Sequence, residues 1–348
     1  MSFHELYMQR CIDLAQKGMG AVTPNPMVGA LLVYENRIIG EGWHQQFGGP
    51  HAEVHCIQSV ANEDKQFIPQ STLYVSLEPC NHFGKTPPCS DLIIQSQIKK
   101  VVIACKDPFE KVNGSGIKKL EDNKVEVITG ILEKEAIQLN KRFFIFHQQQ
   151  MPYVILKWAE SADGIIAKPQ GKPVKISNHI TDKLVHKWRS EEAAIIVGTN
   201  TVLNDNPSLT TRNWQGKNPL RIYIDKRLRI DAKYKILDYS TDTLILNLEK
   251  NEKVGVNEFV MIHEETRLVE QLLQLLNKKG IQSLIVEGGT NLLQSFIESN
   301  CWHEARVIKN TELILQEGIS SPTLKNKIRF KQESIRKDEI NYYLNPTI

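Results

Sequence analysis

The segment "PHAEVH", residues 50–55, is the feature that most restricts how this chain can fold. It places two histidines and one glutamate within five positions, which is more polar chemistry than an amphipathic helix needs. Past an apolar stretch the chain continues with "LEPCNHFGKTPPC", which ends at Cys89. If these residues form one site, the fold has to bring a helix and a loop after a strand together.

Two known motifs use these residue types. His51 and His55 are four apart and would share one face of a helix, as in H-E-x-x-H proteases, but Ala52 stands where that motif needs the acid. The pattern H-x-E, followed past a strand by P-C and a second cysteine, is the signature of zinc-dependent base deaminases. The sequence therefore predicts a zinc site with His51, Cys80 and Cys89 as ligands.

This ligand set indicates a catalytic site. One nitrogen and two thiolates leave the fourth tetrahedral position for water, whose pKa bound zinc lowers from 15.7 to about 7. Glu53 is predicted to take the proton from that water and to deliver it to the leaving ammonia. On an ideal helix His51 and Glu53 would diverge by about 200°. We therefore expect His51 at a helix start with non-helical dihedrals, as Pro50 before it suggests.

A closed structural zinc site is the alternative, with His55 or His82 as the fourth ligand. Such a site would not need Glu53, and its ligand pairs are usually closer in sequence. The spacing from Cys80 to Cys89 is also longer than P-C-x-x-C, which taken alone weakens the deaminase interpretation. The remaining cysteines are expected to serve packing: Cys11, Cys56, Cys105 and Cys301.

Length and composition favour two ordinary globular domains. The chain has 348 residues, 41% of them hydrophobic and 24% charged, which argues against disorder. The polar bridge "HQQQMP" suggests a boundary that gives domains 1–147 and 148–348. The net charge is only +3 and the basic residues are scattered, so we expect a small polar ligand and neither a nucleic-acid nor a membrane partner.

The expected compartment is the cytoplasm. The first residues lack the uninterrupted apolar core of a signal peptide, and no run approaches 18 apolar residues. Six cysteines in a chain of this length do not make a disulfide framework of the small secreted kind, so thiolates can serve as metal ligands.

Strand and helix patterns alternate through both halves, which predicts an α/β fold in each. In the first half a helix over 3–17 precedes two strands joined at Glu35 and Asn36, and in the second half "YVILKWAE" opens the alternation. "SLIVEGGTNLL" reads as a strand that ends in two glycines before a helix. Amides of Gly289 and Thr290 could then face a phosphate at the helix N-terminus.

These residues resemble a known family. "TPNPMVGALLV", "GPHAEVH", "LYVSLEPCNHFGKTPPC" and "DPFEKVNGSG" are similar, in order and spacing, to the deaminase domain of the bifunctional riboflavin-biosynthesis RibD family, in which the longer cysteine gap is normal. "PYVILKWAESADGIIA", "AAIIVGTNTVLNDNPSLTTR" and "LIVEGGTNLL" resemble its reductase domain. The resemblance covers about residues 1–300. It implies a cytidine-deaminase-like N-terminal domain with a central mixed sheet and a dihydrofolate-reductase-like α/β C-terminal domain.

The resemblance implies two reactions and two cofactors. The first domain would use one zinc ion to deaminate 2,5-diamino-6-(5-phosphoribosylamino)-4-pyrimidinone, and the second would reduce the ribosyl chain of the product to ribityl with NADPH. It also suggests a homo-oligomer, a dimer or larger.

The family match carries over to particular residues. In the deaminase domain Asn25 and His44 would contact the pyrimidine, and Lys85 would lie near the substrate phosphate. Residues expected to border the sugar phosphate are Pro173, Arg189, Leu209, Arg212 and Glu287. Residues expected to border NADPH are Ala159, Lys175, Thr201, Asp205, Lys226, Gly289, Thr290, Asn291, Leu292, Leu293, Gln294 and Ser295. Lys157 and Asp205 are candidates for polarising the carbonyl and positioning protons.

The chain also departs from the family pattern. Lys175 stands where the family commonly has an aromatic residue, and the tail after Cys301 lacks the usual pattern. Two other hypotheses stay open: a tRNA or cytidine deaminase with an appended domain, and a second half that binds nucleotide without turnover. Dispersed basic charge argues against the first, and hydride transfer would exclude the second.

Overall fold

The protein is described here by a computed structural model that covers residues 2–83, 87–110, 112–172, 174–264 and 267–348. The chain divides into two compact units, Met1–Gln150 and Met151–Ile348. Among the described residues, none of the helices has both the length and the hydropathy that crossing a membrane requires.

The first unit is a five-stranded sheet with helices on both faces. Its helices are α1 (Phe3–Gln16), α2 (Ala52–Gln58), α3 (Cys89–Gln95), α4 (Ser115–Asp122), α5 (Glu133–Leu139) and α6 (Lys141–Gln149), with a 3₁₀ helix over Asn62–Gln70. Its strands are β1 (Gly29–Tyr34), β2 (Arg37–Trp43), β3 (Thr72–Val75), β4 (Lys100–Ile103) and β5 (Glu126–Thr129). In the order β2-β1-β3-β4-β5, β1 is antiparallel to its neighbours while β3, β4 and β5 are parallel. The sheet is therefore mixed, as predicted.

Alternate residues of β1 enter two different cores. Ala30 and Leu32 pack with α2, α3 and α4, whereas Leu31 and Val33 pack with α1, α5 and α6. Burial on both faces explains why the strand reads as a continuous apolar run. The turn to β2 is made by Glu35 and Asn36 at φ 44° and 66°, which confirms the predicted two-residue hairpin.

The second unit is built on a ten-stranded sheet. Its helices are α7 (His179–Glu191), α8 (Thr199–Asp205), α9 (Leu268–Lys278) and α10 (Thr290–Glu298), with 3₁₀ turns at Pro169–Gly171 and Lys235–Leu237. Its strands are β6 (Tyr153–Glu160), β7 (Ile165–Ala167), β8 (Ala194–Val197), β9 (Leu220–Ile224), β10 (Thr243–Asn247), β11 (Glu252–Val254), β12 (Asn257–Met261), β13 (Ser283–Glu287), β14 (Glu304–Asn310), β15 (Ile319–Ser320), β16 (Ile328–Ile335) and β17 (Asp338–Leu344). The predicted strand "YVILKWAE" coincides with β6.

The centre of this second sheet is parallel. The order is β11-β12-β10-β9-β8-β13-β6-β14-β17-β16, and the strands from β12 to β14 all run parallel. β15 pairs separately with β7. The carboxyl ends of parallel strands meet along one edge of a sheet, where α/β proteins bind their ligands. Glu287 lies at the end of β13, Lys157 is its register partner in β6, and Lys226 lies just after β9.

Helix α2 lies directly on β2 because two glycines of that strand carry no side chain. A Cβ at Gly42 would lie 2.3 Å from the backbone nitrogen of Cys56 and 2.5 Å from the carbonyl oxygen of Ala52. A Cβ at Gly40 would lie 2.6 Å from the carbonyl oxygen of Cys56. These obstacles are backbone atoms, so a methyl group at either position has to push the helix away.

Gly42→Ala is expected to lower the free energy of unfolding by about 1–3 kcal/mol and to reduce the zinc content of the purified chain. The physical reason is the displacement of α2, which begins immediately after His51. Thermal unfolding and metal analysis measure the two effects. Gly49→Ala is the matched control, because a Cβ there meets its nearest atoms at 3.3 Å. Equal zinc content and unfolding temperature in both variants would contradict the packing argument.

Candidate metal centre and a cavity in the second unit

The backbone of His51 allows it to share a site with Glu53. His51 is the N-cap of α2, with extended dihedrals of φ −76° and ψ 169°, and Glu53 lies in the first helical turn with 3% of its surface exposed. The prediction that His51 stands at a helix start with non-helical dihedrals is confirmed. The 200° divergence of an ideal helix therefore does not apply, and both side chains can reach one site.

His51, Cys80 and Cys89 bring their donor atoms together. The Nδ1 atom of His51 lies 3.3 Å from the Sγ atom of Cys89 and 3.5 Å from that of Cys80, and all three donor atoms lie within 4.8 Å of one another. Zinc bonds of about 2.0–2.1 Å to nitrogen and about 2.3 Å to sulfur place tetrahedral N and S ligands about 3.6 Å apart. The donor spacing therefore fits a zinc ion.

The charges at this cluster suit a cation. Hydrogen bonding from the Cys89 thiol and from His51 lowers the pKa of Cys80, which favours the thiolate form that binds metals. Burial raises the pKa of Glu53, opposed by the nearby His51. A carboxylate with a raised pKa is suited to accepting and returning a proton near neutral pH.

No fourth protein ligand joins the group in the described part of the chain. Neither His55 nor His82, the residues that a closed structural site would need, belongs to the cluster. Three protein ligands leave a coordination position for water, which is the catalytic form of a zinc site.

Asn25 and His44 also meet beside the cluster. The His44 Nδ1 atom is 2.9 Å from the carbonyl oxygen of Pro50, to which it donates, so its Nε2 atom can accept from the Asn25 amide at 3.1 Å. The His44 ring stands edge-on to His51, with 5.4 Å between the ring centroids. Two residues expected to contact the heterocycle therefore adjoin the metal ligands. Lys85 lies outside the described residues.

A buried carboxylate that the sequence reasoning missed holds the surroundings of Cys80. Glu78 is 3% exposed and accepts hydrogen bonds from four backbone N–H groups, at 2.9–3.3 Å, from residues 107, 114, 116 and 117. Three of these amides belong to the N-terminus of α4 and the residue before it, where a negative charge is favourable. Glu78 thus fixes the segment after β4 against the strand end that carries Cys80.

In the second unit three charged side chains form a cluster at the carboxyl edge of the sheet. Arg189 donates to Glu287 from Nη2 at 2.7 Å and from Nε at 3.1 Å, and the Lys157 ammonium is 3.6 Å from the same carboxylate. Burial alone would raise the pKa of Glu287, but Arg189 and Lys157 lower it to about 2. Burial lowers the pKa of Lys157, and Glu287 opposes this.

The other predicted substrate residues differ in their exposure to solvent. Burial is the main cause that lowers the pKa of His186, and the charges of Arg189 and Arg212 add to it. Arg212 is exposed, whereas Leu209 is buried at φ 54°. Pro173 lies outside the described residues. The described residues show no contact between Asp205 and Lys157.

A cavity of about 750 Å³ opens beside the same edge. Its lining includes the N-termini of α8 and α10 and three cationic residues of the turn after β9. Gly288 and Gly289 have φ of 72° and 80°, in the left-handed region, and no side chain of the described residues caps α10. The first amides of α10 are therefore available to an anion, and the volume lies within the range of small-molecule and cofactor sites.

The cavity collects some of the predicted cofactor residues. Those that line it are Thr201, Lys226, Gly289, Thr290, Asn291, Leu292 and Ser295. Those that do not are Ala159, Lys175, Asp205, Leu293 and Gln294. Lys175 instead forms an ion pair with Asp182 at 3.1 Å, and Leu293 is fully buried in the core.

The tail after Cys301 contributes to this cavity. It forms strands β14 to β17, and Ile319 of β15 is one of the lining residues. The hydroxyl of Thr290 donates to the carbonyl oxygen of Ser320 at 2.6 Å, and the Asp163 carboxylate accepts from the amides of residues 315 and 316. The unusual tail is thus fastened beside the start of α10.

Comparison with known proteins agrees with this geometry. Residues 152–337 match the model of the RibD C-terminal domain, and residues 1–105 match that of the cytidine and deoxycytidylate deaminase zinc-binding region. The riboflavin biosynthesis protein RibD of Aquifex aeolicus is 38% identical over 338 residues, which are 95% of this chain and 92% of that protein. The chain belongs to the RibD family. RibD of Bacillus amyloliquefaciens is 39% identical over 86% of this chain and 82% of its own.

Solved RibD structures share the folds of both units. A diaminohydroxyphosphoribosylaminopyrimidine deaminase/5-amino-6-(5-phosphoribosylamino)uracil reductase from Thermotoga maritima superposes with a TM-score of 0.89 at 34% identity and 98% coverage of both chains. RibD of Acinetobacter baumannii gives 0.89 at 29% identity and 98% coverage of both chains. The fold predicted for both domains is confirmed.

As a RibD protein, the chain is a bifunctional enzyme of riboflavin biosynthesis, with a zinc-binding deaminase domain and an NADPH-dependent reductase domain. This excludes both alternative hypotheses: a tRNA or cytidine deaminase with an unrelated appended domain, and a second half without turnover. The donor cluster at His51 fits the zinc ion, and the cation-lined cavity fits a phosphorylated cofactor.

Glu78→Gln is expected to weaken zinc binding by about 10- to 100-fold. In the wild-type chain four backbone N–H groups donate to the two carboxylate oxygens of Glu78. A glutamine replaces one of these oxygens with an NH₂ group, which cannot accept, so the segment before Cys80 is held less firmly. Competition with a chromophoric chelator measures the affinity. Glu121→Gln, on the exposed surface of α4, is the control. Equal zinc affinities for Glu78→Gln and wild type would refute this role.

The ion pairs of Glu287 predict an acid-sensitive second unit. The pKa of Glu287 is lowered from 4.5 to about 2 in the folded chain, so its contribution is fully present above about pH 4.5 and is lost as the pH falls toward 2. That contribution is on the order of 3 kcal/mol. Denaturant unfolding between pH 3 and 6, followed by tryptophan fluorescence, measures it. In Glu287→Gln the pH dependence should be shallower, whereas the exposed Glu298→Gln should keep the wild-type slope.

Proposed function

We propose that this chain first deaminates 2,5-diamino-6-(5-phosphoribosylamino)-4-pyrimidinone and then reduces the ribosyl chain of the product to ribityl. The observation that carries the deaminase assignment is the spacing of the three donor atoms beside a buried carboxylate. The substrate is suggested by the name of the Thermotoga maritima relative. Domains 1–147 and 148–348 stay a proposal, and helix α6 continues past the first boundary to Gln149.

In the deaminase site each side chain has a distinct task. His51, Cys80 and Cys89 would hold zinc, which when bound makes hydroxide available at neutral pH. Glu53 accepts a proton from the attacking water and returns it to the departing amine, so that water and the amine exchange to give a carbonyl and ammonia. Burial of Glu53 keeps bulk water from competing for that proton.

The heterocycle is oriented by Asn25 and His44. The carbonyl oxygen of Pro50 fixes the proton of His44 on Nδ1, which leaves Nε2 and the Asn25 amide as a matched acceptor and donor. Without substrate the two pair with each other, and a pyrimidine edge with the complementary pattern can replace that bond. Lys85 remains our candidate for the deaminase substrate phosphate.

In the reductase site NADPH supplies the hydride, and the protein supplies placement and charge. Lys157 is held by Glu287 and can donate a hydrogen bond to the sugar oxygen at which negative charge develops. Arg189 is already neutralised by Glu287, so we assign the sugar phosphate to the exposed Arg212. Asp205 and the other residues carried over from the family stay candidates without a geometric argument.

Two wider expectations accompany this proposal. All six cysteines are free, which agrees with a cytoplasmic location, where thiols stay reduced. A homo-oligomer also remains a prediction. It is supported by the edge strand β16, whose Ile328 and Phe330 are 55% and 46% exposed.

Glu53→Gln should lower the deamination rate by about 10²- to 10⁴-fold, because no other group in the cluster can transfer the proton in its place. Its zinc content should equal that of wild type, and it should still oxidise NADPH when given the deaminated intermediate. Ammonia release and the absorbance of NADPH measure the two steps. Chelation should stop the first step and leave the second, which serves as the control. Wild-type deamination by Glu53→Gln would show that this acid/base assignment is wrong.

A further inference from the structure

The turn after β9 carries three cations into the cofactor cavity. Lys226, Arg227 and Arg229 all line it, and all three are exposed. Lys226 is paired with Glu264, at 3.6 Å from Nζ to Oε1. Arg227 and Arg229 have no ion-pair partner within the part of the chain that the structure describes. Of these three cations, only Lys226 is among the residues that the family resemblance places beside NADPH, so the two arginines are an unassigned feature of this cavity.

The turn is held in one conformation. The buried Asp225 accepts a hydrogen bond from the amide of Ile230 at 2.7 Å with its carboxylate, and from the amide of Leu228 at 3.1 Å with its carbonyl oxygen. Leu228 adopts φ 47° between the two arginines. A cationic turn whose backbone is already ordered loses less entropy when it binds an anion.

The sign of the charge in the cavity is uniform. None of the described residues that line it is acidic. A dinucleotide site that selects an unphosphorylated ribose commonly offers a carboxylate to the 2′-hydroxyl, whereas a guanidinium group accommodates a 2′-phosphate. A guanidinium can also bind a phosphate through two parallel hydrogen bonds.

The neighbouring surface offers a place for adenine. A second cavity of about 250 Å³ shares Lys226 and Leu268 with the larger one, and Leu248 and Ile262 give it an apolar wall. The 2′-phosphate of NADPH is attached to the ribose that carries adenine. If adenine enters the smaller cavity, that phosphate comes beside the turn that contains Lys226.

We infer that Arg227 and Arg229 bind the 2′-phosphate of NADPH and thereby set the preference of the reductase domain for NADPH over NADH. This inference rests on the proposed use of the cavity by the cofactor. It assigns the amides at the start of α10 to the pyrophosphate, since they line the same cavity and carry no side-chain cap among the described residues.

The test is binding by the full-length, zinc-loaded chain, measured by calorimetry without substrate. The ligands are NADPH, NADH, 2′,5′-ADP, which carries the 2′-phosphate on adenosine, and 5′-AMP, which lacks it. In the double variant Arg227→Gln/Arg229→Gln the Kd of NADPH and of 2′,5′-ADP should rise at least tenfold. The Kd of NADH and 5′-AMP should stay within twofold.

Lys233→Gln is the matched control. Lys233 belongs to the same loop and pairs with Asp231 at 3.1 Å, but it does not line the cavity. Lys233→Gln removes one positive charge, as each of the two arginine substitutions does. It should leave all four affinities unchanged.

Three outcomes would overturn the inference. Equal weakening of NADPH and NADH in the double variant would mean that the arginines bind the pyrophosphate. Unchanged Kd values for both dinucleotides in the double variant would remove the arginines from the selection while leaving the cofactor site in place. If the wild-type chain bound neither dinucleotide, the assignment of the cavity to the cofactor would fail as well.

Discussion

The extended backbone of His51 is the constraint on which the deaminase site depends. His51 lies directly before the first residue of α2, but its dihedrals are extended rather than helical. Its imidazole therefore points in a direction that a helical residue at this position could not reach. Glu53, two residues later, can then face the same space from inside the helix. A histidine one residue further into α2 would have turned its ring away from the two sulfurs.

Pairing between neighbouring elements organises the charged cluster of the second unit. Lys157 and Glu287 are neighbours in register on β6 and β13, and Arg189 reaches them from α7. The sheet thus sets the distance between the ammonium and the carboxylate by backbone pairing, while the helix adds a second cation. Buried charges of this kind are tolerated because they are paired and hydrogen-bonded to one another.

Much of this was accessible from the sequence. Periodicity predicted β6 and the hairpin at Glu35 and Asn36, because each is determined by local residue types. Motif spacing predicted the zinc ligands. The extended dihedrals of His51 were predicted because His51 and Glu53 can share one site only if His51 is not helical. Glu78 could not be found in this way, because its four partners lie about 30 to 40 residues further along the chain. Its only signal was an acid at the end of an apolar strand, next to Pro79.

Other features were missed for different physical reasons. Arg227 and Arg229 follow a predicted strand, but surface arginines are common and only the structure shows that both line one cavity. The strands of the tail were not predicted, since β16 is largely exposed and carries mixed polar and apolar residues. Its place is determined by pairing with β17, a long-range contact rather than a local preference.

The contact of α2 with Gly40 and Gly42 has a consequence for how this region can vary. Most core positions accept a larger side chain if a neighbour becomes smaller, so substitutions can be exchanged in pairs. Here the nearest neighbours are main-chain atoms, which no substitution can make smaller. No second substitution can therefore compensate for a larger side chain at these two positions of β2. The distance between the two backbones, and not the total side-chain volume, limits which residues β2 can accept there.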